Sequence, residues 1–249
     1  MTDSCATPSA DDLPLSAAEA RDRMVAEVTP VTGREFLPVR SALGRILAAD
    51  IVAPHDVPAH DNSAMDGYAV RFDTLPAAGE ARLAVVGTAF AGNAFSGIVG
   101  QGQAVRIMTG AVLPAGADTV VVQEAVRVED GAVVVPPSQR KGQNTRLAGE
   151  DLARGAVALP AGKRIGPAEL GLIASLGVAE VEVRRRLRVA FFSTGDELAS
   201  IGKPLAPGQV YDSNRYTLHG LLTRLGAEII DMGVVPDRPE ALEATLAEA

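Results

Sequence analysis

Between Ile51 and Arg146 the chain is built of short β-type runs, and this texture constrains its fold more than any other feature. Tyr68–Arg71, Arg82–Thr88, Ala104–Met108, Thr119–Gln123 and Ala132–Val135 follow one another at close spacing, broken by Gly, Pro and Asn. Such a pattern predicts a small β-rich lobe. The chain carries 25 glycines and 16 prolines, and many of them fall in this stretch and in the loops described below. The flanking regions read differently. Ser16 to Glu19 spells a capping box and predicts a helix with Val25 and Val28 on its apolar side. Val39, Leu43, Ile46 and Leu47 fall at helical spacing and predict a second helix. Pro167 opens another, striped by Leu170, Ile173 and Leu176 and closed by Gly177. Glu180–Val183 alternates as a half-exposed strand does.

The last section changes character again. Val189–Phe192 is a short continuous apolar run, as in a buried parallel strand. A helix over 213–225, a strand at Glu228–Met232 and a helix opened by Pro239 follow it. This is the start of a doubly wound α/β domain, and the chain stops where the next parallel strand is expected. The expected fold is therefore multi-domain α+β. A disordered tail takes 1–11. A discontinuous helical lobe takes 12–51 and 148–186, and the β-rich lobe, 52–147, is inserted within it. An incomplete α/β domain takes 187–249.

Composition removes several function classes. With 23 basic and 31 acidic residues the net charge is −8, which argues against a nucleic-acid surface. Aromatic residues are 4%, leaving little surface for stacking bases. One cysteine, Cys5, excludes a disulfide scaffold and a Cys-based zinc site. His55, His60 and His219 lack metal-ligand spacing, and there is no nucleophile elbow. The acidic start is no signal peptide, and no apolar run reaches the roughly 18 residues of a membrane span. A cytoplasmic protein without membrane or nucleic-acid contacts is expected.

Five segments can carry chemistry. The first holds Asp61, Asn62, Ser63 and Asp66 just before Gly67; it reads as an Asx-type turn or as carboxylates for a hard cation. The second follows Arg106, where Thr109 and Gly110 make a loop able to offer backbone N–H groups to an anion. The third holds Arg146, able to fork onto a phosphate or carboxylate, with Glu150 and Asp151. The fourth is Ser193, Thr194 and Gly195 at the end of the apolar strand, where α/β sheets bind ligands. Asp196 and Glu197 beside it would need a bridging Mg²⁺ to accept a phosphate. The fifth is Asp212, Ser213 and Asn214, all good N-caps at a helix start that could also receive an anion.

In this order the strings PAHDNSAMDGYAV, RIMTGAVLPAGADTVVVQE, GQNTRLAGEDL, FFSTGDEL and GQVYDSN resemble the molybdopterin molybdenumtransferases, the MoeA-type enzymes whose relatives include the C-terminal part of gephyrin. The resemblance covers the N-terminal portion of that family, from about Leu15 onward. It implies insertion of molybdate into adenylylated molybdopterin with release of AMP. It implies a homodimer whose cleft is shared between subunits, and an upstream molybdopterin adenylyltransferase. By motif position Asp66, Thr109, Asp151 and Glu197 would be catalytic. Asn62, Ser63, Arg146, Ser193, Thr194, Gly195, Asp212, Ser213 and Asn214 would bind substrate, and Asp66 and Glu197 would hold Mg²⁺. His60 departs from the family pattern, and the family's later Gly-Gly-x-Ser-x-Gly loop is absent. The chain as given is therefore expected to be inactive alone. A gephyrin-type scaffold and a tungstate-specific relative are the competing readings.

Overall fold

A computed structural model describes residues 15–249. The tail expected at 1–11 and Cys5 lie outside the described residues. The chain begins with α1 (Ala17–Glu27), β1 (Arg34–Pro38), β2 (Ile51–Val52), β3 (Asn62–Ser63) and β4 (Gly67–Val70). It continues through β5 (Ala81–Ala89), β6 (Gln103–Ile107), β7 (Thr119–Val122), β8 (Arg127–Glu129), β9 (Ala132–Val135), β10 (Thr145–Arg146) and β11 (Val157–Leu159). Next come α2 (Pro167–Ser175), β12 (Glu180–Arg184), β13 (Arg188–Thr194), β14 (Leu198–Ala199) and β15 (Val210–Tyr211). The chain closes with α3 (Ser213–Leu225), β16 (Glu228–Val235) and α4 (Pro239–Glu248). The architecture is mixed α+β and divides into two compact units. One is Leu37–Val181; the other joins the residues up to Phe36 with Glu182–Ala249.

The first unit centres on a six-stranded sheet of order β7-β4-β6-β5-β9-β8. All its pairings are antiparallel except β5 with β6. Its apolar runs are continuous because both faces are covered, so alternate side chains enter two different cores. Tyr68, Val70, Leu83, Ala104, Val121 and Val133 pack on one face. Ala69, Val99, Val105, Ile107 and Val120 pack on the other. Gly67 opens the central strand β4 under a tight steric constraint. A Cβ there would sit 2.2 Å from the Val121 carbonyl oxygen, so only glycine fits this close approach.

A second device builds this unit. The segments around 46–63 and 145–165 run antiparallel, joined by β2 with β11, β3 with β10, and bridges Ile46–Arg164 and Val57–Leu152. These short pairings leave backbone donors between them, and aspartates take them up. Asp50, Asp56 and Asp61 each accept one N–H at 2.7 Å, from Ala161, Arg154 and Ala148. This ribbon corrects the helix expected from Val39 to Leu47. Only Val39–Ser41 makes a 3-10 turn. Gly44 then turns at φ +78°, and the N–H groups of Gly44 and Leu47 donate to Ile165 and Lys163 instead of to their own preceding turn. Ala42 and Leu47 are buried while Leu43 and Ile46 are exposed, which is not a helical stripe. Tertiary pairing has overridden local periodicity.

Elsewhere the local signals match. α1 carries the capping box in full: Glu19 N–H donates to Ser16 Oγ, and Ser16 N–H to a Glu19 carboxylate oxygen. The expected apolar side of α1 is not buried within the chain; Met24, Val25 and Val28 are all exposed. α2 opens at Pro167, buries Ile173 and ends at Gly177 with φ +71°. The β12 valines, Val181 and Val183, are buried and its glutamates are not.

In the second unit β13 and β16 pair in parallel, with α3 as the connecting helix, α4 following, and a small parallel pair β14–β15. Phe191 and Val235 are the buried residues of this parallel pair, and the rest of β13 is half-covered or exposed. α3 ends at Gly226 in the left-handed conformation, as its sequence predicts.

Because the Gly67 contact is with backbone, the strand cannot yield by a rotamer change. Gly67→Ala is expected to destabilise the first unit by about 3 kcal/mol, read as a lower denaturant midpoint with unchanged slope.

Candidate functional site

The expected site residues fall into two groups, one in each unit. Asn62, Ser63, Asp66, Thr109, Arg146 and Asp151 lie in the first; Ser193, Thr194, Gly195, Glu197, Asp212, Ser213 and Asn214 lie in the second.

In the first unit β3 pairs with β10, setting Asn62 opposite Arg146 and Ser63 opposite Thr145. Ser63 is buried, and its hydroxyl donates to the Met65 carbonyl at 2.6 Å, forming the turn that delivers Asp66 to the start of β4. One oxygen of Asp66 accepts both donors of Thr109, the backbone N–H at 2.8 Å and the hydroxyl at 2.7 Å. These two bonds, and then the nearby Arg106 charge, hold the Asp66 carboxyl below the ordinary carboxylate range. The other Asp66 oxygen enters no hydrogen bond with any described residue.

The Thr109 loop does not behave as a free anion cradle. Met108 N–H donates to Ala89, Thr109 N–H to Asp66, Gly110 N–H to Ser63 and Ala111 N–H to Met108. Every donor from 108 to 111 is spent inside the protein. The physical reason is that the loop closes the end of β6 against the Ser63 turn, so its amides complete that packing.

Arg146 and Asp151, expected to serve separate roles, are partners. The Arg146 guanidinium donates to Asp151 and, at 3.4 Å, to Glu150, and the Asp151 bond chiefly raises the Arg146 pKa. Glu150 also accepts the Leu147 N–H at 2.9 Å, closing the loop on itself. Asp61 is committed to Ala148 and is structural here.

In the second unit Ser193 and Thr194 are not loop residues but the last two of β13, opposite Val234 and Val235. The parallel ladder extends further than the apolar run because β16 continues to Val235. Gly195 follows at φ +145°, and a Cβ there would lie 2.7 Å from the Glu197 carboxylate. Glu197 therefore folds back over the glycine turn. Among Asp212, Ser213 and Asn214, the cap of α3 is Asp212, whose Oδ1 accepts the Arg215 N–H at 3.2 Å. Asp212 is only 5% exposed, and its Oδ2 is buried with no partner among the described residues. Such an oxygen asks for a donor or a cation from outside the chain.

Side chains that the sequence did not single out complete both groups. Arg215 donates to Asp231 at 2.8 Å and lowers the Asp231 pKa. Arg106 donates to the Tyr68 hydroxyl and to Gln123. Their partners are separated by 16 to 38 residues, and only the tertiary fold brings them together. Among the described residues no group of three or more His, Cys, Asp or Glu is placed to hold a metal ion. No helix there is long and apolar enough to cross a membrane.

Two outcomes follow from this geometry. A carboxyl with a depressed folded pKa stabilises the fold above its unfolded pKa, and the gain is lost as pH falls through the folded value. Asp66→Asn is therefore expected to lower the denaturant midpoint at about pH 7 and to differ little from wild type at about pH 2. Asp212→Ala is expected to cost the second unit about 1 kcal/mol through loss of the α3 cap, seen as faster amide exchange in the first turn of α3. Asp212→Asn, which keeps a capping oxygen, is expected to cost less.

Comparisons with known proteins place these strings in a family. Residues 15–177 match the model of the MoeA N-terminal region, domains I and II, and residues 190–249 match that of a probable molybdopterin binding domain. Similar curated proteins include the molybdopterin molybdenumtransferase of Haemophilus influenzae, 45% identical over 92% of this chain and 56% of that protein. The protein of the same description from Nostoc is 43% identical over 86% of this chain and 50% of its own length. The chain thus spans about half the length of these curated relatives. A crystal structure of a molybdopterin biosynthesis MoeA protein from Pyrococcus horikoshii superposes with a TM-score of 0.86 at 33% identity, covering 93% of this chain and 62% of that one. From these matches, the chain belongs to the MoeA family.

Proposed function

We propose that this chain takes part in molybdenum cofactor biosynthesis as a molybdopterin molybdenumtransferase, inserting molybdate into adenylylated molybdopterin with release of AMP. The observation that carries the reading is the Asp66–Thr109 pair. Two separate family strings meet in it, and the carboxylate is fixed by both Thr109 donors while one oxygen stays unengaged. A surface turn with no further task would not need an aspartate held in this way.

In this reading one molybdate oxygen ends on the AMP phosphorus as the bond to the pterin phosphate breaks, and the dithiolene sulfurs take up the metal. The protein positions the partners and balances charge. Ser193, Thr194 and Gly195 face the pterin phosphate at the end of β13. Asp212, Ser213 and Asn214 flank it. The Arg146–Asp151 pair orders the loop beside Asn62 and Ser63. Mg²⁺ is commonly held by one or two carboxylates together with substrate phosphates, and the unengaged Asp66 oxygen in the first unit and the Glu197 carboxylate in the second each fit that donor chemistry on their own. Bound there, the ion would offset the charge of the phosphoanhydride. The working assembly is a homodimer in the cytoplasm with a cleft shared between subunits. It receives its substrate from a molybdopterin adenylyltransferase.

The test is molybdate-dependent AMP release by the whole protein. Asp66→Asn and Glu197→Gln are each expected to slow it by about a hundredfold or more. Wild-type rates in both variants would remove the reading. Unchanged cofactor supply by these variants in a deficient strain would favour a scaffold instead.

A further inference from the structure

Strand register places one arginine in an unusual position. Arg106 lies on β6 opposite Tyr68 of β4 and Thr88 of β5. Tyr68 and Ala104, which alternates with Arg106, belong to the same apolar core, as does Val121, which alternates with Gln123. Asp66 immediately precedes β4, and its carbonyl accepts the Gln123 N–H at 3.1 Å, which sets it beside Gln123. This face of the sheet is therefore apolar along most of its length and ends in Asp66, Tyr68, Arg106 and Gln123.

Arg106 is half-buried, yet its partners are neutral. One Nη donates to the Tyr68 hydroxyl at 3.2 Å, the other to Gln123 Oε1 at 2.9 Å, and the guanidinium lies 5.7 Å from the Tyr68 ring centre. Among the described residues no carboxylate is within ion-pairing distance of it. The nearest candidate, Asp66, spends one oxygen on Thr109. A partly desolvated cation hydrogen-bonded only to neutral groups, with the Asp66 charge near it but not paired to it, keeps donors and charge for a further partner. Of its five N–H groups two are used, and the planar fork is held in place by the buried Tyr68. Because the Tyr68 oxygen accepts from Arg106, its own proton is free to be donated elsewhere. The amides of the neighbouring loop, from 108 to 111, are all engaged. The donors left at this end of the sheet are those of Arg106 and Tyr68.

We propose that Arg106, with the Tyr68 hydroxyl, is the oxyanion-receiving group of the first unit. It would take a tetrahedral oxyanion, either molybdate or a phosphate of the adenylylated substrate, beside Asp66. The inference rests on the proposed function for its substrate class. Its physical role is to offset the repulsion that Asp66 imposes on an incoming anion.

The test is calorimetric titration of the 249-residue chain with molybdate and, separately, with AMP. Arg106→Met is expected to weaken at least one of them by about tenfold or more, Tyr68→Phe by a few-fold, and Arg106→Lys by an intermediate amount because it keeps charge without the fork. Loss confined to molybdate assigns the metal oxyanion; loss confined to AMP assigns the adenylyl phosphate. The Arg106 Nε–H resonance of the wild-type chain should move on adding the same anion, a readout that does not depend on any variant folding. Binding by folded Arg106→Met within about twofold of wild type, no resonance shift at saturation, or no binding of either anion below about 10 mM would overturn the inference. Loss of AMP release in Asp66→Asn alongside unchanged binding in Arg106→Met would sink this inference alone and leave the proposed function standing.

Discussion

The close approach of Gly67 to the Val121 carbonyl is the contact on which the first unit's chemistry depends. A side chain at this position would push β4 away from β7, and the β4 register also fixes what lies at each end of the strand. With β4 seated between β6 and β7, Asp66 arrives at the loop after β6 and meets both donors of Thr109. The same register puts Tyr68 across from Arg106. A polar cluster can sit at the end of an apolar sheet face only if its members satisfy one another. The short list of hydrogen bonds among Asp66, Thr109, Tyr68, Arg106 and Gln123 does most of that. What it leaves over is one carboxylate oxygen and several guanidinium donors of Arg106.

The second unit relies on a different principle. A glycine turn at the end of a parallel strand and a capped helix start are cheap places to expose polar groups, because backbone conformation rather than a core holds them. Gly195 adopts a backbone angle that side chains rarely tolerate, and the Glu197 carboxylate occupies the space a Cβ would fill. Asp212 spends one oxygen on the α3 cap and buries the other without a partner. Each is a local arrangement that leaves an acid ready for an external donor or cation.

Between the two lies a lesson about aspartates. Asp50, Asp56, Asp61 and Asp66 come from one short stretch of chain and look equivalent as acids. Three of them hold single backbone N–H groups of the returning segment at 148–161, completing an irregular ribbon whose strands are too short to satisfy themselves. Asp66 alone bonds a threonine hydroxyl as well as an amide. The distinction between scaffold and site therefore follows from which strand returns to meet each carboxylate.

Much was legible from local signals. The capping box at Ser16, Pro167 with Gly177, the Asp212 cap and the Gly226 stop all rest on interactions within a few residues, so the sequence alone determined them. The family strings likewise pointed to Asp66 and Thr109, which the fold brings into hydrogen-bond contact. What the sequence left open depended on partners far along the chain. The helical spacing from Val39 to Leu47 yielded to a ladder with residues 163–165, because hydrogen bonds to a returning strand replaced those within a turn. The loop amides at 108–111, which looked free for an anion, were consumed by neighbours 19 to 47 residues away and by their own turn. Arg106 drew no notice as a lone arginine and became distinctive only when register set it beside a buried tyrosine, with neutral groups as its hydrogen-bond partners. Local chemistry decides which turns and caps can form. Tertiary structure decides which polar groups are already satisfied, and so which remain to act.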